Sequence, residues 1–289
     1  MFQKALTIAE DFTFPVVIST RLFSGAIKSG VTAFVIVNDA GWALTAAHVL
    51  MTQAKAQADR AAIDGWRARS QAVKMDSSLP QARRQNLLKN MKSDPNWIDS
   101  HSYWWAWDNV TTGRVFVDQL ADLALVELIG IPPGTVKRFP VFGNSEAHIK
   151  PGASLCRLGF PFNAMEVAWD AAKSAFEMKT RIITRFPLEG MYTRFEIREE
   201  PTTGKSARFL ETSSPGARGQ SGGPIFDVEG TVWAIQSHTM HVDLEFSAEL
   251  TVKGQKVVEN QVLNVGLGAD VIEIVRFAQD NGVKIAVHP

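Results

Sequence analysis

The 289-residue chain contains one cysteine, Cys156. No disulfide can form within it, which excludes a small secreted scaffold stapled by cross-links. Long apolar runs are missing as well. The densest, Val31 to Val37 (VTAFVIV), is seven residues long, where a membrane-spanning helix needs about 20. The N-terminal MFQKALTIAEDFTF has one Lys, no continuous apolar stretch and no small-residue cleavage site, so it does not read as a secretory signal. These absences together predict a cytoplasmic protein. Net charge is also lacking, with 30 Lys+Arg against 30 Asp+Glu. That balance argues against a surface devoted to nucleic acid or another acidic polymer. There is no glycine loop of the phosphate-binding or dinucleotide type, and no internal repeat stands out.

What the chain does have is an apolar fraction of 45%, ordinary for a globular protein. Short segments rich in β-branched and aromatic residues dominate two regions. The first, from about Thr13 to Leu50, holds PVVIST, VTAFVIV, a turn at Asn38-Asp39-Ala40-Gly41, and WALTAAHVL. The second resumes near Gly113 and runs through RVFV, LADLALVEL, SLCRLGF, MKTRIITRF, MYTRFEIRE, PIFDV and TVWAIQSH. Turn signals recur every 8–12 residues or so, which predicts an all-β barrel or sandwich.

Helical composition interrupts the strands twice. Met51 to Lys92 carries nine basic and three acidic residues, a local +6 that the rest of the chain balances with −6. It predicts two helices, over 51–75 and 79–92, the second capped by Ser77 or Ser78 ahead of Pro80. A further helix is predicted from Ala269 to about Gln279, stopped by Asn281-Gly282. After the basic helices comes Pro95-NWIDSHSYWWAWDNV, with Trp97, Trp104, Trp105 and Trp107. These rings suit the seating of the helices against the β core, since aromatics bury large areas. The competing expectation is an exposed recognition patch for a regulatory partner at 51–112.

Three short segments carry chemistry. Thr45-Ala46-Ala47-His48 ends a strand, Asp122-Leu123-Ala124-Leu125-Val126 opens another, and Gly219-Gln220-Ser221-Gly222-Gly223-Pro224 forms a tight loop before a third. A serine hydroxyl needs a neutral imidazole to take its proton. The imidazole in turn needs a carboxylate on its other nitrogen to hold the tautomer. His, then Asp, then Ser is one of the chain orders in which such triads occur. Asp108 and Asp118 are rival carboxylates, but neither precedes an apolar strand.

In these motifs, over about residues 13–280, the chain resembles the chymotrypsin-like (trypsin-fold) serine peptidases. The resemblance implies a mostly β fold of two six-stranded antiparallel β-barrels. They would span 1–147 and 148–289, with a helical, Trp-rich insertion at about 51–112 and a C-terminal helix. It implies His48 as general base, Asp122 as its orienter and Ser221 as nucleophile. Gly219 and Ser221 would supply the oxyanion-hole N–H groups, and Ser237 would support the carboxylate. Pro215, Arg218, Ser237, His238 and Thr239 would line the substrate pocket. The partner would be a peptide or protein substrate, without cofactor, metal, membrane or nucleic acid. The alternative is a silent or latent interaction module that uses the basic helices and Trp cluster.

Three departures sharpen these expectations. Gln220 stands where the digestive and clotting enzymes have an aspartate that pairs with a newly cut N-terminus, so no such cleavage is expected here. Pro215 occupies the position where trypsin-like relatives have an acid that selects Arg or Lys. Thr239 replaces a common glycine and would narrow the pocket mouth. A small or medium uncharged residue before the cut follows, with an acidic residue read by Arg218 and His238 as the rival. Cys156, inside SLCRL, reads as a buried small hydrophobe, and no appended peptide-binding domain is expected.

Overall fold

A computed structural model describes residues 1–144, 149–180, 182–252 and 255–289, and from 248 to 260 the backbone alone. Helix α1 (Gln3–Glu10) leads into a first sheet of β1 (Thr13–Leu22), β2 (Ile27–Ile36), β3 (Trp42–Ala46), β4 (Ile98–Trp105), β5 (Thr111–Asp118) and β6 (Leu123–Ile129). The strands pair antiparallel in the order β4-β1-β2-β3-β6-β5. The hairpin between β2 and β3 turns where Asn38 and Gly41 predict it. Asn38 Oδ1 accepts from the N–H of Ala40 (3.1 Å) and Trp42 (3.3 Å), and Gly41 takes the left-handed φ of +79° that a residue without Cβ adopts freely.

The remaining strands are β7 (Val141–Phe142), β8 (Ser154–Gly159), the ribbon β9 (Val167–Asp170) and β10 (Ala175–Met178), β11 (Phe186–Glu199), β12 (Ser206–Thr212), β13 (Pro224–Phe226), β14 (Val232–Val252), β15 (Gln255–Asp270) and β16 (Ala286–Val287). Six of them close a ring, β13-β8-β11-β12-β15-β14 and back to β13, with every pairing antiparallel. β7 and β16 add to it in parallel. The expected mostly β architecture of two six-stranded units is therefore present. It differs in closure: the first sheet ends on the edge strands β4 and β5, while the second is a ring with two strands appended. The expected boundary at 147/148 lies outside the described residues.

Helices α2 (Met51–Met75) and α3 (Gln81–Asn90) fill the connection between β3 and β4. Their seating uses the aromatic cluster. Phe23 sits edge-on between Trp66 of α2 (5.2 Å) and Trp97 (5.7 Å). Trp105 is buried against Phe34 at 5.1 Å, and Trp107 meets Phe14 at 4.6 Å. None of the four clustered tryptophans is exposed. Asp59 ties α2 to β4 by accepting from Lys55 Nζ (2.7 Å) and the Ile98 N–H (2.8 Å). The predicted serine cap of α3 does not form. The helix starts after Pro80, and Ser78 instead bonds Asp76 through its N–H (2.9 Å) and Oγ (2.5 Å). β4 itself lies within the stretch read as insertion. Helix α4 (Val271–Asp280) is capped by Asp270, whose carboxylate accepts from the Ile272 N–H (3.0 Å). Among the described residues no helix is long and apolar enough to cross a membrane.

Candidate active site

His48 sits in a single helical turn, Ala47–Leu50, directly after β3. Asp122 is one residue ahead of β6, which pairs with β3 through Ala46 and Leu123. That register brings the two side chains together. His48 Nδ1 lies 2.9 Å from Asp122 Oδ2, and the His48 N–H donates to Asp122 Oδ1 at 2.9 Å. The Asp122 carbonyl accepts from the Ala47 N–H at 3.0 Å. With main chain and side chain both engaged, Asp122 holds a left-handed φ of +54°, which Asp tolerates better than most residues.

A third donor reaches the carboxylate from the ring of the second sheet. Ser237 Oγ, on β14, donates to Asp122 Oδ2. Burial works to raise the Asp122 carboxyl, but the hydrogen bond and charge of His48 and the Ser237 hydroxyl outweigh it and hold the group below the ordinary carboxylate range. The His48 ring remains more open, at 39% side-chain exposure against 12% for Asp122.

Ser221 arrives on the loop between β12 and β13, which the first sheet grips. The Ser221 carbonyl accepts from the Ala33 N–H (2.9 Å) and from Thr32 Oγ1. Gly222, at φ +81°, presses so close to Thr45 Oγ1 and the Ala33 carbonyl that a Cβ has no room. Gly219, at φ +105°, lies where a Cβ would stand 2.7 Å from the Phe160 carbonyl. Gln220, fully buried, stays within the loop: Oε1 accepts from the Ala217 N–H (2.8 Å), and Nε2 donates to the Phe186 carbonyl (3.3 Å). The Gln220 N–H is taken by Ala217 O at 3.0 Å. Among the described residues, neither the Gly219 nor the Ser221 N–H donates to another group of the chain.

His48, Asp122 and Ser221 line one cavity of about 590 Å³, together with Arg218, Ser237, His238 and Thr239. Pro215 is exposed beside it and does not line it. Ser221 Oγ donates to the Ser237 carbonyl at 3.2 Å. Thr239 Oγ1 donates to the Gly216 carbonyl at 2.8 Å, across the opening that the sequence leads one to expect narrowed. Both ring nitrogens of His238 are engaged: Nδ1 is 2.8 Å from Ser237 Oγ, and Nε2 is 3.0 Å from Arg198 Nη2. The sequence reading missed Arg198 and Gln236. Gln236 is buried in the same wall, with Nε2 donating to the carbonyls of His238 and Leu267, both at 3.2 Å. Its signal was a polar residue in the apolar strand TVWAIQSH.

Beneath the loop lies Arg157, 1% exposed. Its guanidinium donates to Thr212 Oγ1 and the Ser214 carbonyl (2.9 Å), and burial pushes it down to about 10, so it stays charged at neutral pH. Cys156, its neighbour, faces apolar core, and burial pushes the thiol up to about 11.

Curated protein sequences show no match. Among solved structures, the Rv3671c protease from M. tuberculosis in its active form aligns at 13% identity, covering 98% of this chain and 86% of that one, with a TM-score of 0.49. The HtrA-type protease AlgW with tripeptide aligns at 14% identity over 98% of this chain and 65% of that one, with a TM-score of 0.48. The family model described as trypsin-like peptidase domain matches residues 31–235, from β2 through β14 and across all three chemistry-bearing segments. The chain belongs to the trypsin-like peptidase domain family.

Proposed function

We propose that this protein is a serine endopeptidase, with Ser221 as nucleophile, His48 as general base and Asp122 as the orienter of His48. The observation that carries the reading is the pairing of His48 Nδ1 with the Asp122 carboxylate in the cavity that also holds Ser221. A carboxylate accepts only, so Nδ1 bears the proton and Nε2 keeps its lone pair for Ser221. Catalysis then starts with a rotation of Ser221 Oγ from the Ser237 carbonyl towards His48 Nε2. The oxygen attacks the substrate carbonyl carbon while its proton passes to Nε2. Negative charge develops on the carbonyl oxygen, and the N–H groups of Gly219 and Ser221 are the donors available to it. His48 next gives its proton to the leaving amine as the peptide bond breaks. Water, deprotonated by the same nitrogen, hydrolyses the acyl-enzyme and returns Ser221.

The side chain before the cut enters the cavity between Arg218 and Thr239. The bond from Thr239 to Gly216 supports a small or medium residue there, and among the described residues lining the cavity the one carboxylate is Asp122, held by His48 and Ser237, which favours an uncharged side chain over a cation. An open groove of about 1270 Å³ adjoins the cavity, sharing Gln119 and Arg198 with it and bordered by β5. It gives an extended peptide room to lie along the site, and binding by strand addition is the common mode for such ligands.

A second reading, a latent or silent module, has the hydroxyl geometry in its favour. Among the described residues no hydrogen bond joins Ser221 Oγ to the His48 ring. A fluorophosphonate probe separates the two. The native chain should be labelled, Ser221→Ala should not, and His48→Ala should react slower by orders of magnitude. Folded native protein that resists the probe would overturn the peptidase reading.

A further inference from the structure

We propose that His238 is a positioning residue, locked by Arg198 in the one tautomer that sends the Ser237 proton to Asp122. The proposal gives its purpose from the peptidase reading above, but its central observable does not depend on that reading.

Donors and acceptors fix the direction of each bond in the row. A guanidinium has five N–H groups and no acceptor. Arg198 Nη2 lies 3.0 Å from His238 Nε2, so Nε2 supplies a lone pair to that contact. In a neutral imidazole the other nitrogen then carries the proton. Nδ1 is 2.8 Å from Ser237 Oγ, and its N–H donates to the hydroxyl. The hydroxyl has a single proton of its own, which goes to Asp122 Oδ2. Every bond in the row runs the same way, from Arg198 to His238, to Ser237, to Asp122. The opposite tautomer would reverse it. An Nδ1 lone pair would compete with Asp122 for the Ser237 proton, and an Nε2–H would face the guanidinium.

The charged groups around His238 come from three elements. Arg198 lies on β11, with its guanidinium 4.6 Å over the Phe209 ring. Asp122 precedes β6, and His48 follows β3. Burial first, then the Arg198 charge, push the His238 imidazole below its ordinary range; His48 acts in the same sense and Asp122 against it. A depressed imidazole is neutral at pH 7, the state the row requires. As pH falls through the lowered value, Nε2 takes a proton and its bond from Arg198 is lost. Arg198 is exposed, so its replacement leaves the core intact.

The test is ¹⁵N NMR of the His238 ring in the folded full chain at pH 7.5. Wild type should show a protonated Nδ1 and an unprotonated Nε2. Arg198→Ala should shift population towards Nε2–H and lower kcat on a peptide substrate about three- to tenfold, the scale of one hydrogen bond. Arg198→Lys, which keeps a donor, should restore both. An Nε2–H or doubly protonated His238 in wild type would overturn the proposal. So would an unchanged tautomer in Arg198→Ala, or a loss confined to KM, which would make Arg198 a substrate contact. Should the fluorophosphonate probe fail, the peptidase reading falls while the NMR result still decides the tautomer.

Discussion

Ser237→Ala tests the electrostatics of the site in the folded protein, without any substrate. Ser237 is 2% exposed, and its hydroxyl donates to a carboxylate that is itself 12% exposed in its side chain. A hydrogen bond to a charged group contributes about 1.5–3 kcal/mol. Unfolding entropy near 2.1 cal/mol/K per residue, over 289 residues, makes that loss a fall in Tm of about 2.5–5 °C. The effect has a pH signature. The folded Asp122 carboxyl is held below its unfolded value, so its contribution is present above about pH 4 and is lost as pH falls through the folded value. The deficit of Ser237→Ala should therefore be full at pH 7 and narrow in acid. Denaturant titrations of both proteins at pH 7 and below pH 4 measure it. An unchanged midpoint at pH 7, or a deficit that persists undiminished into acid, would refute the assignment of Ser237 as a donor to a charged Asp122.

Three further outcomes follow from the same structure. Thr239→Gly removes the bond to the Gly216 carbonyl, and substrate-library profiling should show larger side chains accepted before the cut; an unaltered profile would speak against Thr239 as the limit. Gly222→Ala forces a side chain into a left-handed φ, a cost of about 1–2 kcal/mol for the backbone alone, and drives Cβ into Thr45 and Ala33, so its loss in chemical denaturation should exceed that figure. Cys156, with its thiol pushed up to about 11 by burial, should resist iodoacetamide at pH 7.5 in the native protein and react once the chain is unfolded.

Which parts were legible in the sequence follows from how local each signal is. His48, Asp122 and Ser221 stand in short motifs at strand ends, and the β3–β6 register and the grip of β2 on the Ser221 loop bring those ends into one cavity. Helix α2 was legible because Ala, Gln, Lys and Arg dominate its 25 residues and no proline interrupts them. β4 was not. In IDSHSYWW the polar positions and crowded aromatic rings hide the alternation of a half-buried strand, and pairing with β1 supplies what the pattern omits. The start of α3 went astray because Ser78 found Asp76 two residues away, a local bond that competes with capping. The Arg198–His238 contact joins residues 40 apart. Only the path of the ring, from β11 through β12 and β15 to β14, makes them neighbours, and no spacing rule along the chain encodes that.

The carbonyl of Ser221 is one stitch between the two sheets, and it makes assembly of the site observable from the backbone. The Ala33 amide proton is committed to that carbonyl, so it exchanges with solvent only when the Ser221 loop lifts from β2. Slow deuterium uptake at Ala33 is thus a clock for the seam. If its exchange quickens at a temperature where the interior of β3 is still protected, the site comes apart before the fold does, and loss of activity on heating would mark a parting of the sheets, with each sheet still folded.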